Sequence, residues 1–175
     1  AALPIPVTTA ASPCTTCMST YLVAASSTPM RGRGSSVESR SQFAAERHVR
    51  GYNCAQAVAC TYADLVGVDE ITLFKACEGL GLGMGGMEGT CGALSGACML
   101  AGLVNSTGDL AHPTSKGSTY ALSRQMVSQF ASDAGATACH DLKGRETGVV
   151  LTPCPRCIEI ACDLVEKTLF SGRDA

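Results

Sequence analysis

Tryptophan is absent from the 175 residues, and only 5% of them are aromatic. Charge is scarce as well: 16% are Asp, Glu, Lys or Arg, and the formal net charge is −2. β-Sandwiches draw on aromatic residues, Val and Thr, whereas the Ala and Gly that are plentiful here suit closely packed helices. No basic stretch exceeds a couple of Arg residues, so nucleic-acid binding has no electrostatic basis. No uninterrupted apolar run reaches the roughly 18 residues of a membrane span. The most apolar window, 91–104, is shorter and is broken by glycine. Neither C-x-x-C pair is followed by His, since Met18 and Ile158 stand there; c-type haem attachment is thereby excluded.

Cysteine is what the chain has in quantity. Eleven stand at positions 14, 17, 54, 60, 77, 91, 98, 139, 154, 157 and 162. An odd number leaves one over from any complete set of disulfides. A chain long enough for one domain with a sizeable core also has little need of covalent staples. Metal binding or redox chemistry is the expectation. The opening "AALPIP" would suit the residue of a cleaved leader, so an exported or periplasmic location and a cytoplasmic one are both compatible with the sequence.

Residues 1–35 read as an arm, rich in Ala, Ser, Thr and Pro and poor in periodicity. Residues 36–175 read as one helical domain. "SSVESRSQFAAERHVRGYN" opens on Ser and Glu and closes on Gly51, as a capped helix does. "NCAQAVACTYADLVG" places apolar residues at helical spacing between an Asn53 cap and a Gly67 stop. Further helices are expected from Asp69, over about 91–104, about 115–133 and about 155–170. Only "TGVVLT" (147–152) looks strand-like. The expected fold is all-α, a compact domain of five or six helices with a glycine-rich loop.

That loop, "GLGLGMGGMEGT", contains a formal G-x-G-x-x-G at Gly81, Gly83 and Gly86. A dinucleotide fold needs a β-strand before such a loop; here a helix bearing Lys and Glu precedes it. The glycines Gly83, Gly85, Gly86, Gly89 and Gly92 are instead expected to bring backbone close to a charged cofactor and to leave N–H groups free around it. Cys91 follows the loop at a helix start, where the dipole favours thiolate. Cys98, two turns further on the same face, reads as a packed small hydrophobe. Cys54 also follows a cap, Cys154 and Cys157 straddle another helix start, and Cys139 lies in the polar turn "TACHDLKG". Thiolates directed inward from several helix starts suit an iron–sulfur cluster. The alternatives are a metal-free thiol–disulfide redox protein or sensor, using Cys154 and Cys157 or Cys91 with a partner, and a structural subunit for assembly with a four-thiolate zinc site. His48 reads as a solvated surface group, His112 as a loop residue, and His140 as a turn residue that could orient a neighbouring site.

"YNCAQAV", "EGTCGALSGA", "CHDLKG" and "PRCIEIACDLVEK", in this order, resemble the redox-active family named for its C…GCAxxG…C…C cysteine pattern. The likeness runs from about residue 43 to residue 169. It implies a small helical domain with four characteristic cysteines, which correspond here to Cys54, Cys91, Cys139 and Cys157 and are the expected ligands of the iron–sulfur cluster, with the motif's final glycine at Gly96. Cys91 precedes Gly92 and Ala93, a departure from the Gly-Cys-Ala order of the name. Related domains accompany c-type haem in split-Soret cytochromes, but the haem sites do not carry over. The resemblance implies redox activity and supplies a fold more firmly than a reaction; with the cluster reading, an electron carrier working with a redox partner protein is expected rather than a stand-alone enzyme. An arm of this length lies poorly on a small helical domain, so a homodimer is expected. Deleting residues 1–34 is expected to weaken association while leaving the cofactor's visible spectrum unchanged; an unchanged number of chains per particle in solution would remove the argument.

Overall fold

The computed structural model describes residues 39–171. Within them every regular element is helical and no sheet forms, as the composition requires. The arm, Cys14 and Cys17 lie outside the described residues, and so does the arm's expected part in dimerisation. The elements are α1 (Ser41–Val49), α2 (Cys54–Thr61), α3 (Ala63–Val66), α4 (Glu70–Cys77), α5 (Gly81–Met84), α6 (Gly92–Asn105), α7 (Lys116–Ala134), α8 (Cys139–Lys143) and α9 (Cys154–Val165). A 3-10 turn, Glu78–Leu80, joins α4 to α5, and a π turn, Glu166–Phe170, continues α9. No described helix is long and apolar enough to cross a membrane.

Helix α6 is the centre of the domain, and α2, α7 and α9 pack around it. Ala93, Leu94, Ala97, Leu100 and Ala101 are all fully buried, the pattern of a helix enclosed on most sides. Its approach to α2 is set by glycine. A Cβ on Gly96 would lie 2.8 Å from the Ala55 carbonyl oxygen. One on Gly92 would lie 3.0 Å from the Leu80 carbonyl and 3.3 Å from the Ala55 nitrogen. The two backbones therefore meet directly.

Helix α9 is amphipathic: Cys157, Ile158, Ala161, Cys162 and Val165 face the core, while Arg156 and Glu159 form an ion pair at 3.0 Å on its outer side. It begins at Cys154, so Pro155 is its second residue, still within the first turn that tolerates proline. The expected helix from Asn53 to Gly67 is interrupted at Tyr62 (φ −113°). The Tyr62 ring is fully buried against Phe170, and its hydroxyl donates to Glu166 Oε1 at 2.9 Å. Anchoring that side chain outweighs helical continuity. "TGVVLT" forms no strand; it turns back on α8, with the Leu151 and Thr152 N–H groups donating to the Leu142 carbonyl at 3.0 and 3.2 Å.

The glycine contacts make a direct prediction. Gly96→Ala is expected to destabilise the domain by about 1–3 kcal/mol, because the α2 backbone cannot yield as a flexible side chain would. Gly102→Ala, on the same helix but with open space around the added methyl, is expected to be neutral or to stabilise by about 0.5–1 kcal/mol. Denaturant unfolding of the two variants measures the difference.

Candidate functional site: a cavity of thiols

Cys54 is the first residue of α2, held by a capping box on either side of it. The Asn53 side chain accepts from the Gln56 N–H at 3.0 Å, and Gln56 Oε1 accepts from the Asn53 N–H at 2.9 Å. Asn53 Nδ2 also donates to the Glu78 carbonyl at 3.0 Å, and Gln56 Nε2 to the Phe74 carbonyl at 2.9 Å. The "YNCAQAV" motif thus ties the start of α2 to α4 and the turn beyond it.

Cys91 is the N-cap of α6 and makes no side-chain capping hydrogen bond; the Ala93 and Leu94 N–H groups at the helix start act on its sulfur electrostatically and lower its pKa. Short backbone pairing sets the loop before it against α8. The Cys91 N–H donates to the Thr137 carbonyl at 2.8 Å, and the Cys139 N–H to the Gly89 carbonyl at 3.0 Å. Thr90 and Ala138 form an antiparallel bridge between these bonds. Cys139 opens α8, and Cys154 and Cys157 lie in the first two turns of α9.

These thiols all line one cavity of about 230 Å³, together with His48, Leu82, Gly92 and Lys143. The structure therefore brings together all four cysteines of the sequence pattern and adds Cys154. Every described cysteine is free. Among the described residues, no group of three or more His, Cys, Asp or Glu is arranged to hold a single metal ion.

The sulfurs stand in two close pairs. Interaction with the neighbouring Cys154, and next burial, raise Cys54 above the ordinary thiol range. The same interaction, aided by the Lys143 ammonium and opposed by burial, holds Cys154 down at about 5. The Cys157 thiol donates to the Thr152 carbonyl at 3.7 Å, and the neighbouring Cys91 pushes its pKa up. Cys91 falls to about 7, through Cys157 first and then the α6 N–H groups, against the cost of burial. Burial, and next the charge of Cys91, raise Cys139. Lys143 is raised by the Cys154 thiolate beside it.

The remaining described cysteines pack. Burial pushes Cys60 and Cys77 up to about 11 and Cys162 to about 12. Cys77 lies 3.7 Å from the Met99 sulfur, and Cys98 packs at the edge of the main core. Of the loop glycines, Gly92 lines the cavity. Gly83 has φ +55°, and a Cβ there would come within 2.6 Å of the Cys139 Cβ; its role is close packing behind that cysteine. Gly89 supplies the carbonyl that fixes Cys139, while Gly85 and Gly86 face open space.

Sequence reasoning missed His48 and Lys143 among the lining residues and gave Cys154 only the part of a helix-start thiol or half of a redox disulfide. His48, expected in solvent, is half-buried on the cavity wall, its Nδ1 2.9 Å from the Tyr52 carbonyl. Lys143 and Cys154 carried some signal, as a cation beside "CHDLKG" and as the first cysteine of "CPRC". His140 stays outside the cavity, with Nδ1 3.2 Å from the Met87 carbonyl and Nε2 3.1 Å from Asp141.

Buried thiols directed inward from several helix starts define a redox-active cysteine site. The sequence profile of the family described as "Putative redox-active protein (C_GCAxxG_C_C)" matches residues 52–168, and the chain belongs to that family. No curated protein and no solved structure matches the chain.

The cavity's electrostatics predict its reactivity. In the metal-free chain, alkylation of Cys154 is expected to rise as pH passes through about 5, far below the roughly 8.5 of a free thiol. Below that pH the sulfur carries its proton and is a poor nucleophile. Lys143→Met should move the midpoint upward, because the thiolate loses its neighbouring cation. Mass mapping of iodoacetamide adducts against pH checks both expectations.

Proposed function

We propose that this protein is a small electron carrier whose cavity thiols hold an iron–sulfur cluster. The observation that carries the reading is the convergence of five sulfurs, from the starts of four helices, on one cavity. Such a cluster needs thiolate ligands, nearby N–H donors and exclusion of solvent. The α6 N–H groups on Cys91 and the burial of Cys91, Cys139 and Cys157 meet those requirements. A cluster carries its own bridging sulfides and takes ligands spread more widely than a single ion does. Two thiol pairs fit it better than they fit the alternative, one tetrahedral zinc. When bound, the group supplies one-electron chemistry. The protein's residues fix the sulfurs, keep water out and offset the negative charge.

Cys54, Cys91 and Cys139 supply three ligands, and α9 supplies the fourth. Cys154 takes that position, with Lys143 opposite its charge. Cys157, whose S–H donates to the Thr152 carbonyl beside Cys91, stays a neutral neighbour of a ligand. A homodimer and a protein redox partner complete the proposal; the apolar side chains exposed at Leu82, Met84 and Val150, near the cavity, would suit such a partner.

The pairing of thiol with thiolate favours a second reading, in which Cys54 and Cys154, or Cys91 and Cys157, cycle between dithiol and disulfide without metal. Rapid alkylation of these residues in a folded, metal-free chain as isolated would favour it.

Serine variants test the ligand set, since a hard and mostly protonated hydroxyl replaces a soft thiolate. Cys91→Ser and Cys154→Ser should abolish the visible absorption and the bound iron. Cys157→Ser should keep the iron and shift the reduction potential. Cys98→Ser should cost only packing, about 1–2 kcal/mol. Iron loss in Cys157→Ser with retention in Cys154→Ser would exchange their roles. Equal loss in Cys91→Ser and Cys98→Ser would overturn the site.

A further inference from the structure

A second pocket, of about 500 Å³, adjoins the thiol cavity and opens outward. Leu82, Lys143, Thr152 and Cys154 line both spaces. Cys154, half-exposed like Cys54, is therefore the cavity sulfur open to the outer pocket. Cys91, Cys139 and Cys157 are buried, and neither they nor Cys54 line the outer pocket.

The outer pocket has a definite chemistry. Lys143 and Arg145 give it two cations, while Leu82, Val150 and Pro153 give it apolar wall. Arg145 is paired with Glu88, but Glu88 is 75% exposed, and such surface pairs hold their partners weakly. The size suits a small molecule of a few residues. Leu82, at the boundary of the two spaces, holds φ +51°, a strained conformation for a branched side chain and one that clusters at binding sites.

The geometry points to an entry site for a low-molecular-weight disulfide carrying carboxylates, with Cys154 as the attacking sulfur and Cys54 as the resolving one. This extends the reading above to the chain without its cluster. Carboxylates would lie on Lys143 and Arg145, and the methylenes on the apolar wall. The Cys154 thiolate attacks one sulfur of the disulfide; the reagent's S–S bond breaks, a mixed disulfide forms on Cys154, and one small thiol leaves with a proton from solvent. Cys54, beside Cys154, then loses its proton to water and attacks the Cys154 sulfur. The Cys54–Cys154 bond forms and the second small thiol leaves. Two protein thiols are oxidised by two electrons, and one small disulfide is reduced to two thiols. The pair would thereby guard the empty cavity against over-oxidation.

The test uses the full chain, both as isolated anaerobically and after chelation, with oxidised glutathione as the anionic probe and cystamine as the cationic one. The chelated chain is expected to form the Cys54–Cys154 disulfide, and Cys54→Ser to accumulate one glutathionyl group on Cys154. Arg145→Met should lower the ratio of the glutathione rate to the cystamine rate by about threefold, and the double variant with Lys143→Met by about tenfold. Taking the ratio cancels any change in thiolate content. No adduct on Cys154 after chelation, a first adduct on another cavity thiol, or an unchanged ratio would overturn the inference. If the iron-free chain as isolated already reacts at Cys154, the cluster reading fails and this one stands. If chelation releases iron and Cys154 then stays inert, the reverse holds.

Discussion

The backbone of α6 lies against the backbone of α2 with no side chain between them, and the cavity depends on that contact. Gly92 and Gly96 remove the methyl groups that would strike Leu80 and Ala55. Cys54 and Cys91, each at the start of its helix, are thereby brought to one place; a Cβ on Gly92 would stand only 3.3 Å from the Cys54 Cβ. The capping box at Asn53 and the bridge between Thr90 and Ala138 then fix the ends that the glycines allow to meet. Close packing of this kind is rigid, so the sulfurs are held rather than merely gathered.

Electrostatics explains why such a site calls for a cation. Five sulfurs share the space with one ammonium, Lys143. Burying several thiolates against a single positive charge is costly. The protein alone meets that cost by keeping Cys54, Cys139 and Cys157 protonated and confining thiolate character to Cys91 and Cys154. The proposed cluster would displace thiol protons and supply the missing charge. The α6 dipole and the Ala93 and Leu94 N–H groups do part of the same work at Cys91.

Much of this was legible in the sequence, because it is encoded locally. Asn53 followed by Gln56 announces a capped helix start with a cysteine in its first turn, and a glycine-rich loop before Cys91 announces another. The all-α fold follows from the same helical spacings. What was not legible is tertiary. His48 lies on a helix of mixed charge, and only the packing of α1 beside α2 and α9 turns it toward the cavity. Tyr62 sits within an unbroken helical pattern, yet its hydroxyl partners lie 100 and 104 residues further along the chain. "TGVVLT" has the residues of a strand but no strand to pair with among the described residues. The family pattern singles out Cys157, while Cys154, three residues earlier, faces the same cavity.

The central claim is that these thiols hold iron and inorganic sulfide. Its most direct test is elemental analysis of the full chain purified without exposure to oxygen: iron, acid-labile sulfide and zinc, each measured per chain. The account predicts iron and sulfide in equal, stoichiometric amounts, with visible absorption that bleaches on reduction. Stoichiometric zinc without acid-labile sulfide would contradict it.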